Sequence, residues 1–443
     1  MRKGLSRIDL LCLVVGSIIG WGSFTLPGDK FLPESGVINT GIGLIIGGLA
    51  VTVIQKGYYI MKQNHHEDGG EFSYTFNHLG RKHGFIVGWS LLLCYLSLVP
   101  LNATAFVLVI KKLYGSRVEW LYLYDVAGYQ VFLSDIILAS LIIILFAYIN
   151  IRGIRASSNA QNIMVLLLVL NVLAVFVMMS FKSDHAMFLT RYIVAGQLDW
   201  GEIAKVLAIV PFLFVGFDVI PQVTTELNFK AEKATRIAVI SIFTGVLLYN
   251  LLNIITAFAF TPAEAVQQQW AAGSAVMNHL GKFGFLLLVI ALAAAVISGI
   301  NGFMLSSSKL IGALSNYGLF PAKYSDLNKK RVFENGIKFI TGVSLIAPWL
   351  GREVIIYIVD MSSLLAAVAY FYVCLIGYKI ALNRKDRILT LSGIGISLTF
   401  IALLIIPWSP GHLNLASIIL MVVWVIVGML YYKKMTNTAV TTS

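Results

Sequence analysis

The sequence predicts an all-α polytopic membrane protein of about twelve transmembrane helices, built as a five-plus-five inverted repeat with two accessory helices. Three observations carry this reading. Of the 443 residues, 58% are hydrophobic and only 12% are charged, about half the ~25% charged share of soluble domains. Apolar runs of the roughly 20 residues that a bilayer requires recur along the whole chain. Two of these runs are interrupted by Gly and Pro at matching places, five spans apart. The composition excludes a soluble globular enzyme, a disordered chain and a secreted disulfide scaffold.

Charge and turn residues bound the runs. Helix 1 covers about 8–31, helix 2 about 37–61, helix 3 about 84–112, helix 4 about 131–151 and helix 5 about 158–181. Helix 6 follows at about 203–227, helix 7 at about 234–260, helix 8 at about 283–314, helix 9 at about 333–350 and helix 10 at about 353–380. Helices 11 and 12 lie at about 388–408 and 412–432. The runs are too long and too uniformly apolar for barrel strands, so strands are not expected. The basic start, Met1–Arg7, leads into an apolar run without a small-residue cleavage site, so helix 1 is expected to be retained. One transporter domain, 1–443, is expected: 8–181 as first repeat, 203–380 as inverted second repeat and 388–432 as accessory helices. Cys12, Cys94 and Cys374 all sit in apolar segments and read as small core residues.

With the N-terminus on side one, 24 of the 33 Lys and Arg residues fall on that side, Arg2 and Lys3 among them. The positive-inside rule then places both termini in the cytoplasm of a multi-pass cell-membrane protein. The net charge of +12 is thus a topology signal; its residues sit in short loops, which argues against nucleic-acid binding.

Helix 1 reads Gly16-Ser17-Ile18-Ile19-Gly20-Trp21-Gly22-Ser23-Phe24-Thr25-Leu26-Pro27-Gly28. Each interior Gly costs about 1 kcal/mol against Ala. Unwound backbone at membrane depth is tolerated only where it lines a cavity or meets a ligand. Close packing through small residues, with Gly16 and Gly20 four apart, fits the same pattern. Helix 6 favours unwinding: Pro211 and Pro221 remove ladder donors, and Gly216 and Asp218 stand between them. Paired interruptions in two halves mark a binding site at the breaks. Half-helix ends there offer N–H groups to an anion and C=O groups to a cation, which suits a zwitterionic amino acid or an amine.

At these residues the chain resembles the amino acid–polyamine–organocation (APC) transporters. The likeness covers the Gly-rich first helix, Gly69-Gly70-Glu71-Phe72-Ser73-Tyr74 with Gly80 and Gly88-Trp89, and Asn150-Ile151-Arg152-Gly153. It continues through Gly216-Phe217-Asp218 with Glu226, Ser298 through Lys309, and Asn316-Tyr317-Gly318-Leu319-Phe320-Pro321. The resemblance implies secondary transport by alternating access. It puts the substrate carboxylate on Ile18, Ile19, Gly20, Trp21 and Gly22, and the amino group at carbonyls around Phe212, Leu213, Val215 and Gly216. Phe214 or Phe217 would form an aromatic gate. The chain departs from the family pattern in two ways. Leu168 stands where many proton-coupled members carry a lysine, and Trp21 is bulkier than the small residue usual at the first break.

Ionisable groups inside hydrocarbon are functional candidates by default. Asp218 suits proton coupling, an amine partner, or a cap on the second half of helix 6. Glu226 suits a gate salt bridge, and Asp360 is left open. Asn102 and Asn301 face a cavity or bond between helices. Ser306 and Ser307 are weak Na⁺ candidates, since membrane serines more often bond their own i−4 carbonyl. The cluster His65, His66, Glu67 and Asp68 reads as a solvated loop. Nothing in the sequence supports ATP drive, catalysis, a cofactor or a metal site. The expected function is a symporter or exchanger for an amino acid or related amine, coupled to protons in preference to Na⁺. Alternatives are a polyamine importer, a sodium-coupled symporter, or a transporter-like sensor or channel.

Overall fold

The computed structural model describes the backbone of residues 4–194 and 196–441, with side chains through 435; Arg2 and Lys3 lie outside the described residues. The first span is broken into α1 (Arg7–Ile18) and α2 (Gly22–Leu26), followed by a wide turn at Pro27–Phe31 and α3 (Leu32–Ser35). Then come α4 (Ile38–Asn64), a short α5 (Gly70–Leu79) and α6 (Arg81–Tyr114). A hairpin, β1 (Tyr122–Val126) and β2 (Tyr129–Phe132), leads to α7 (Leu133–Ile151), α8 (Ile154–Lys182) and α9 (His185–Phe188). The second broken span is α10 (Trp200–Leu213) and α11 (Val219–Gln222), followed by α12 (Ala231–Ala257), α13 (Pro262–Val266) and α14 (Ala271–Asn316). The chain ends with α15 (Glu334–Ile346), α16 (Arg352–Asp360), α17 (Ser362–Ile380), α18 (Arg384–Ile405) and α19 (Leu415–Thr441). It is an all-α polytopic membrane protein. Among the described residues, 9 helices are long and apolar enough to cross a bilayer, or 10 when α1 and α2–α3, bent by 48°, count as one span. The expected helices 6 and 9 fall short of a full span because α10 is 14 residues and α15 is 13.

Local chemistry explains where elements begin and how closely they pack. Ser6 and Asp9 form a reciprocal capping box that starts α1. Small residues then let helices approach: a Cβ on Gly47 of α4 would lie 2.4 Å from Val210 of α10. Gly16 has the same role, since its Cβ would lie 2.4 Å from Gln161 of α8 and 2.9 Å from Ser298 of α14. Both readings of helix 1 are therefore present, with Gly16 packing and the backbone opening just beyond it. The β-hairpin departs from the expectation of no strands. Ala127 and Gly128 take positive φ (49° and 80°), the two-residue turn that suits a tight hairpin, and Tyr124 ties it down by donating to the Trp349 carbonyl at 2.6 Å. Within α14, Gly281 (φ 65°) kinks the helix, which is why the apolar run of helix 8 begins just after it.

The two broken spans meet at their breaks. Gly216 has φ +129°, and a Cβ there would stand 2.8 Å from the Ile18 nitrogen and the Ser17 carbonyl carbon. Gly22 differs: its Cβ would meet Phe212 at 3.5 Å and Leu26 at 3.6 Å, ordinary contacts. Gly216→Ala is therefore expected to destabilise the purified protein by the ~1–3 kcal/mol of forced overpacking. Gly22→Ala should stay within about 0.5 kcal/mol of the native chain. Thermal unfolding in detergent checks this, and equal shifts for both variants would contradict the contact.

Candidate functional site

α1 stops at Ile18, and Ile19 turns extended with φ −94° and ψ 98°. The N–H groups of Gly20 and Trp21 donate to no backbone carbonyl among the described residues. On the facing span, Pro211 and Pro221 bracket a run of tight turns from Phe214 to Asp218, because no continuous ladder spans Gly216. Tyr249 of α12 stands between the breaks, its hydroxyl 3.3 Å from both the Ile18 and the Leu213 carbonyl oxygens. Of the carbonyls expected to meet a substrate amine, Phe212's accepts the Val215 N–H at 3.2 Å and Leu213's accepts Tyr249. A further acceptor lies on α6. Asn102 donates its amide to Leu98, while its Oδ1 is buried without a donor and lies 3.2 Å from where a Gly20 Cβ would be.

Ile18, Ile19, Gly22, Leu213, Phe214, Val215, Gly216 and Phe217 are buried, whereas Gly20, Trp21 and Phe212 keep partial exposure. The ring nearest Gly22 is that of Phe212. Phe214 packs edge-on to Tyr249 at 6.5 Å, and Phe217 sits between Tyr58 at 5.2 Å and Tyr370 at 5.3 Å. On its other side Trp21 carries the guanidinium of Arg352, 4.1 Å from the ring centre.

Asp218 stands at the N-cap position of α11 but makes no side-chain cap bond, so the cap expected from the sequence is replaced by a different arrangement. Its Oδ1 accepts the Gly216 N–H at 2.7 Å and its Oδ2 accepts the Tyr95 hydroxyl at 2.9 Å, closing the turn over the break. Glu71, which the sequence reading passed over as part of a motif, is fully buried and accepts from the Tyr58 hydroxyl at 2.9 Å and the Gln222 amide at 2.8 Å. It belongs to α5, between the spans; burial first, then the charge of Asp218, pushes its carboxyl well above the usual carboxylate range. The signal for Glu71 was an acid set between Gly70 and Phe72, three residues after Asp68.

On the face that carries the N-terminus, Lys309 is bound by both Asp68 and Glu226 at 2.9 Å. Asp68 also accepts the Thr225 N–H at 2.9 Å and hydroxyl at 2.8 Å. The Leu5 N–H donates to the Glu226 carbonyl at 2.8 Å. The segment His65–Asp68 is a partly solvated loop, with His66 exposed, but its other side chains are engaged: Glu67 accepts from Tyr317, and the His65 and His78 ring nitrogens meet at 2.9 Å. Among the described residues, no group of His, Cys, Asp and Glu is placed to hold a metal.

The remaining candidates are dispersed. Asn301 is fully engaged with Asn150, Ser157 and Gln161, tying α14 to α7 and α8. Ser306 donates to its own i−4 carbonyl, Gly302, at 2.9 Å, while Ser307 Oγ is buried without a partner. Leu168 is fully buried. Asp360 ends α16 and accepts from Asn414 at 3.2 Å.

The profile of the family described as "Amino acid permease" matches residues 5–433. A putative arginine/ornithine antiporter of Escherichia coli (strain K12) is 24% identical over 438 residues, covering 95% of this chain and 90% of that protein. A branched-chain amino acid permease of Bacillus subtilis (strain 168) is 23% identical over 465 residues, covering 98% and 92%. A cationic amino acid transporter of Arabidopsis thaliana, named as mitochondrial, is 21% identical over 374 residues, covering 83% and 60%. A family match along almost the entire chain, on a bundle with two opposed helix breaks, makes this protein a member of the amino acid permease family within the APC superfamily, and not an enzyme.

Proposed function

We propose that the protein is a secondary transporter that carries an amino acid across the cell membrane by alternating access. In this reading it has twelve spans with both termini cytoplasmic, and helices 1–5 and 6–10 form inverted repeats. The observation that carries it is the meeting of unengaged polar groups at the first break. The N–H groups of Gly20 and Trp21 suit a carboxylate, and Asn102 Oδ1 beside them suits an ammonium. A zwitterion satisfies both at once. The Lys309–Asp68–Glu226 cluster supports a lock on the cytoplasmic face, because it joins the end of the second broken span to α14 and to the segment before α5. The names of the relatives favour amino acids over polyamines.

Coupling to protons is the favoured energy source. Leu168 adds only apolar bulk at the position discussed for coupling, and Ser306 spends its hydroxyl on its own helix. A Na⁺ site needs several oxygen ligands. Asp218 and Glu71 are buried carboxyls that share the Tyr58, Tyr95 and Gln222 neighbourhood of the second break and supply proton-carrying groups. Symport and exchange both fit this arrangement.

Reconstituted protein in liposomes is expected to accumulate labelled amino acid with an imposed pH gradient. Asp218→Asn should leave the protein monodisperse and reduce the pH-driven component. Uptake that follows a Na⁺ gradient and ignores pH would overturn proton coupling. Lys309→Met strands two carboxylates at the lock, a loss on the order of a few kcal/mol. That variant should cut exchange rates and raise thiol labelling of a cysteine placed at Ser308; unchanged labelling would remove the lock from the cycle.

A further inference from the structure

Arg352 opens α16 and is 3% exposed. Its Nη1 donates to the Leu101 carbonyl at 3.1 Å and the Thr104 hydroxyl at 2.8 Å, both on α6. Its Nη2 is buried and has no hydrogen-bond partner. Among the described residues no carboxylate lies within ion-pair distance of it. The guanidinium is instead laid over the ring of Trp21, the last of the three residues between α1 and α2. Buried charges are ordinarily paired, because the low-dielectric interior penalises a lone ion heavily. A cation–π contact and two neutral acceptors do not replace a counter-ion.

The place of this cation relative to the break gives it a use. Leu101, Asn102 and Thr104 lie within a single turn of α6. That turn anchors Arg352 and also presents the unengaged Asn102 Oδ1 toward Gly20. The Asp218 carboxylate is held by Tyr95, six residues earlier on α6, roughly 9 Å along the helix axis. The break thus has a carboxyl group on one side and an unpaired guanidinium on the other. An amino acid with its carboxylate on the Gly20 and Trp21 N–H groups and its ammonium at Asn102 still has its side chain to place, and Trp21, whose N–H would hold the carboxylate, carries Arg352 on its ring.

We infer that Arg352 selects substrates by side-chain charge: it takes a carboxylate at the end of the side chain and repels a cationic one, so the preferred substrates are acidic amino acids. This rests on the amino acid transport reading above. It separates the chain from relatives named for arginine, ornithine and cationic amino acids. A planar guanidinium with its Nη2 unspent is suited to a carboxylate.

The test is uptake and competition in proteoliposomes with labelled glutamate, aspartate, leucine, arginine and ornithine. The native protein should take glutamate or aspartate in preference to leucine, with arginine and ornithine competing least. Arg352→Gln should lower the ratio of acidic to neutral uptake by about ten- to a hundredfold, the loss of one charge-assisted hydrogen bond. Arg352→Lys should retain more of the acidic preference than Arg352→Gln. Preference of the native protein for arginine, ornithine or leucine overturns the inference while leaving amino acid transport standing, and this screen decides even if a variant fails to fold. An unchanged ratio in a folded Arg352→Gln protein also overturns it. Absence of uptake of any amino acid defeats the transport reading, and this inference with it.

Discussion

The contact between Gly216 and the Ser17–Ile18 backbone is the constraint on which the rest of the site depends. Two membrane spans approach there with no side chain on the Gly216 side, and a Cβ would intrude to within 2.8 Å of the Ile18 nitrogen and of the Ser17 carbonyl carbon and Cβ. Backbone this close, with Gly216 at φ +129°, belongs to no continuous helix. Both spans therefore surrender ladder hydrogen bonds inside a membrane, where unsatisfied N–H and C=O groups are costly. The surrounding residues answer that cost one by one. Tyr249 serves the Ile18 and Leu213 carbonyls, Asp218 takes the Gly216 N–H, and Tyr95 in turn donates to Asp218. What is left unserved, the Gly20 and Trp21 N–H groups and Asn102 Oδ1, is the part of the break that a ligand can use.

The two ends of the bundle are held by different electrostatics. Toward the N-terminal face, Lys309 has two carboxylates at 2.9 Å, a satisfied cluster that ties the second broken span to α14. Toward the hairpin, Arg352 has hydrogen bonds and an aromatic face but no counter-ion among the described residues. A satisfied ion cluster closes a path until something competes for its partners. A cation without a partner rests in a shallower well and answers to whichever charge arrives. In the alternating-access cycle proposed above, the second end would read the substrate and the first would have to break for release.

Much of this was legible in the sequence, and the parts that were not have physical reasons. The breaks were visible because Gly and Pro at membrane depth have few uses: Gly20 and Gly216 stand where the helices open, and Pro211 and Pro221 sit in the half-helices that flank the second opening. Glu226 was expected in a gate salt bridge; the partner it has, Lys309, 83 residues away, is set by packing that one sequence does not display. Gly22 looked as special as Gly216 because spacing alone does not tell a glycine in open contact from one pressed against backbone. Tyr249, Tyr95 and Tyr58 were hidden because a tyrosine in an apolar helix has the pattern of a core residue, and only its hydroxyl partner reveals more. Asp68 was mistaken for a solvated loop residue since its neighbours are polar. The hairpin at Ala127-Gly128 is hidden in hydropathy because its strands lie in the connection between two apolar runs and bury little apolar surface.

Amide hydrogen exchange on the purified protein, with and without a transported amino acid, tests most directly that the touching breaks are the substrate site. Protection on ligand addition should concentrate at Gly20 and Trp21, where the N–H groups have no backbone acceptor, with smaller changes across Phe214–Asp218. Saturating ligand that protects other segments and leaves both breaks unchanged would contradict it.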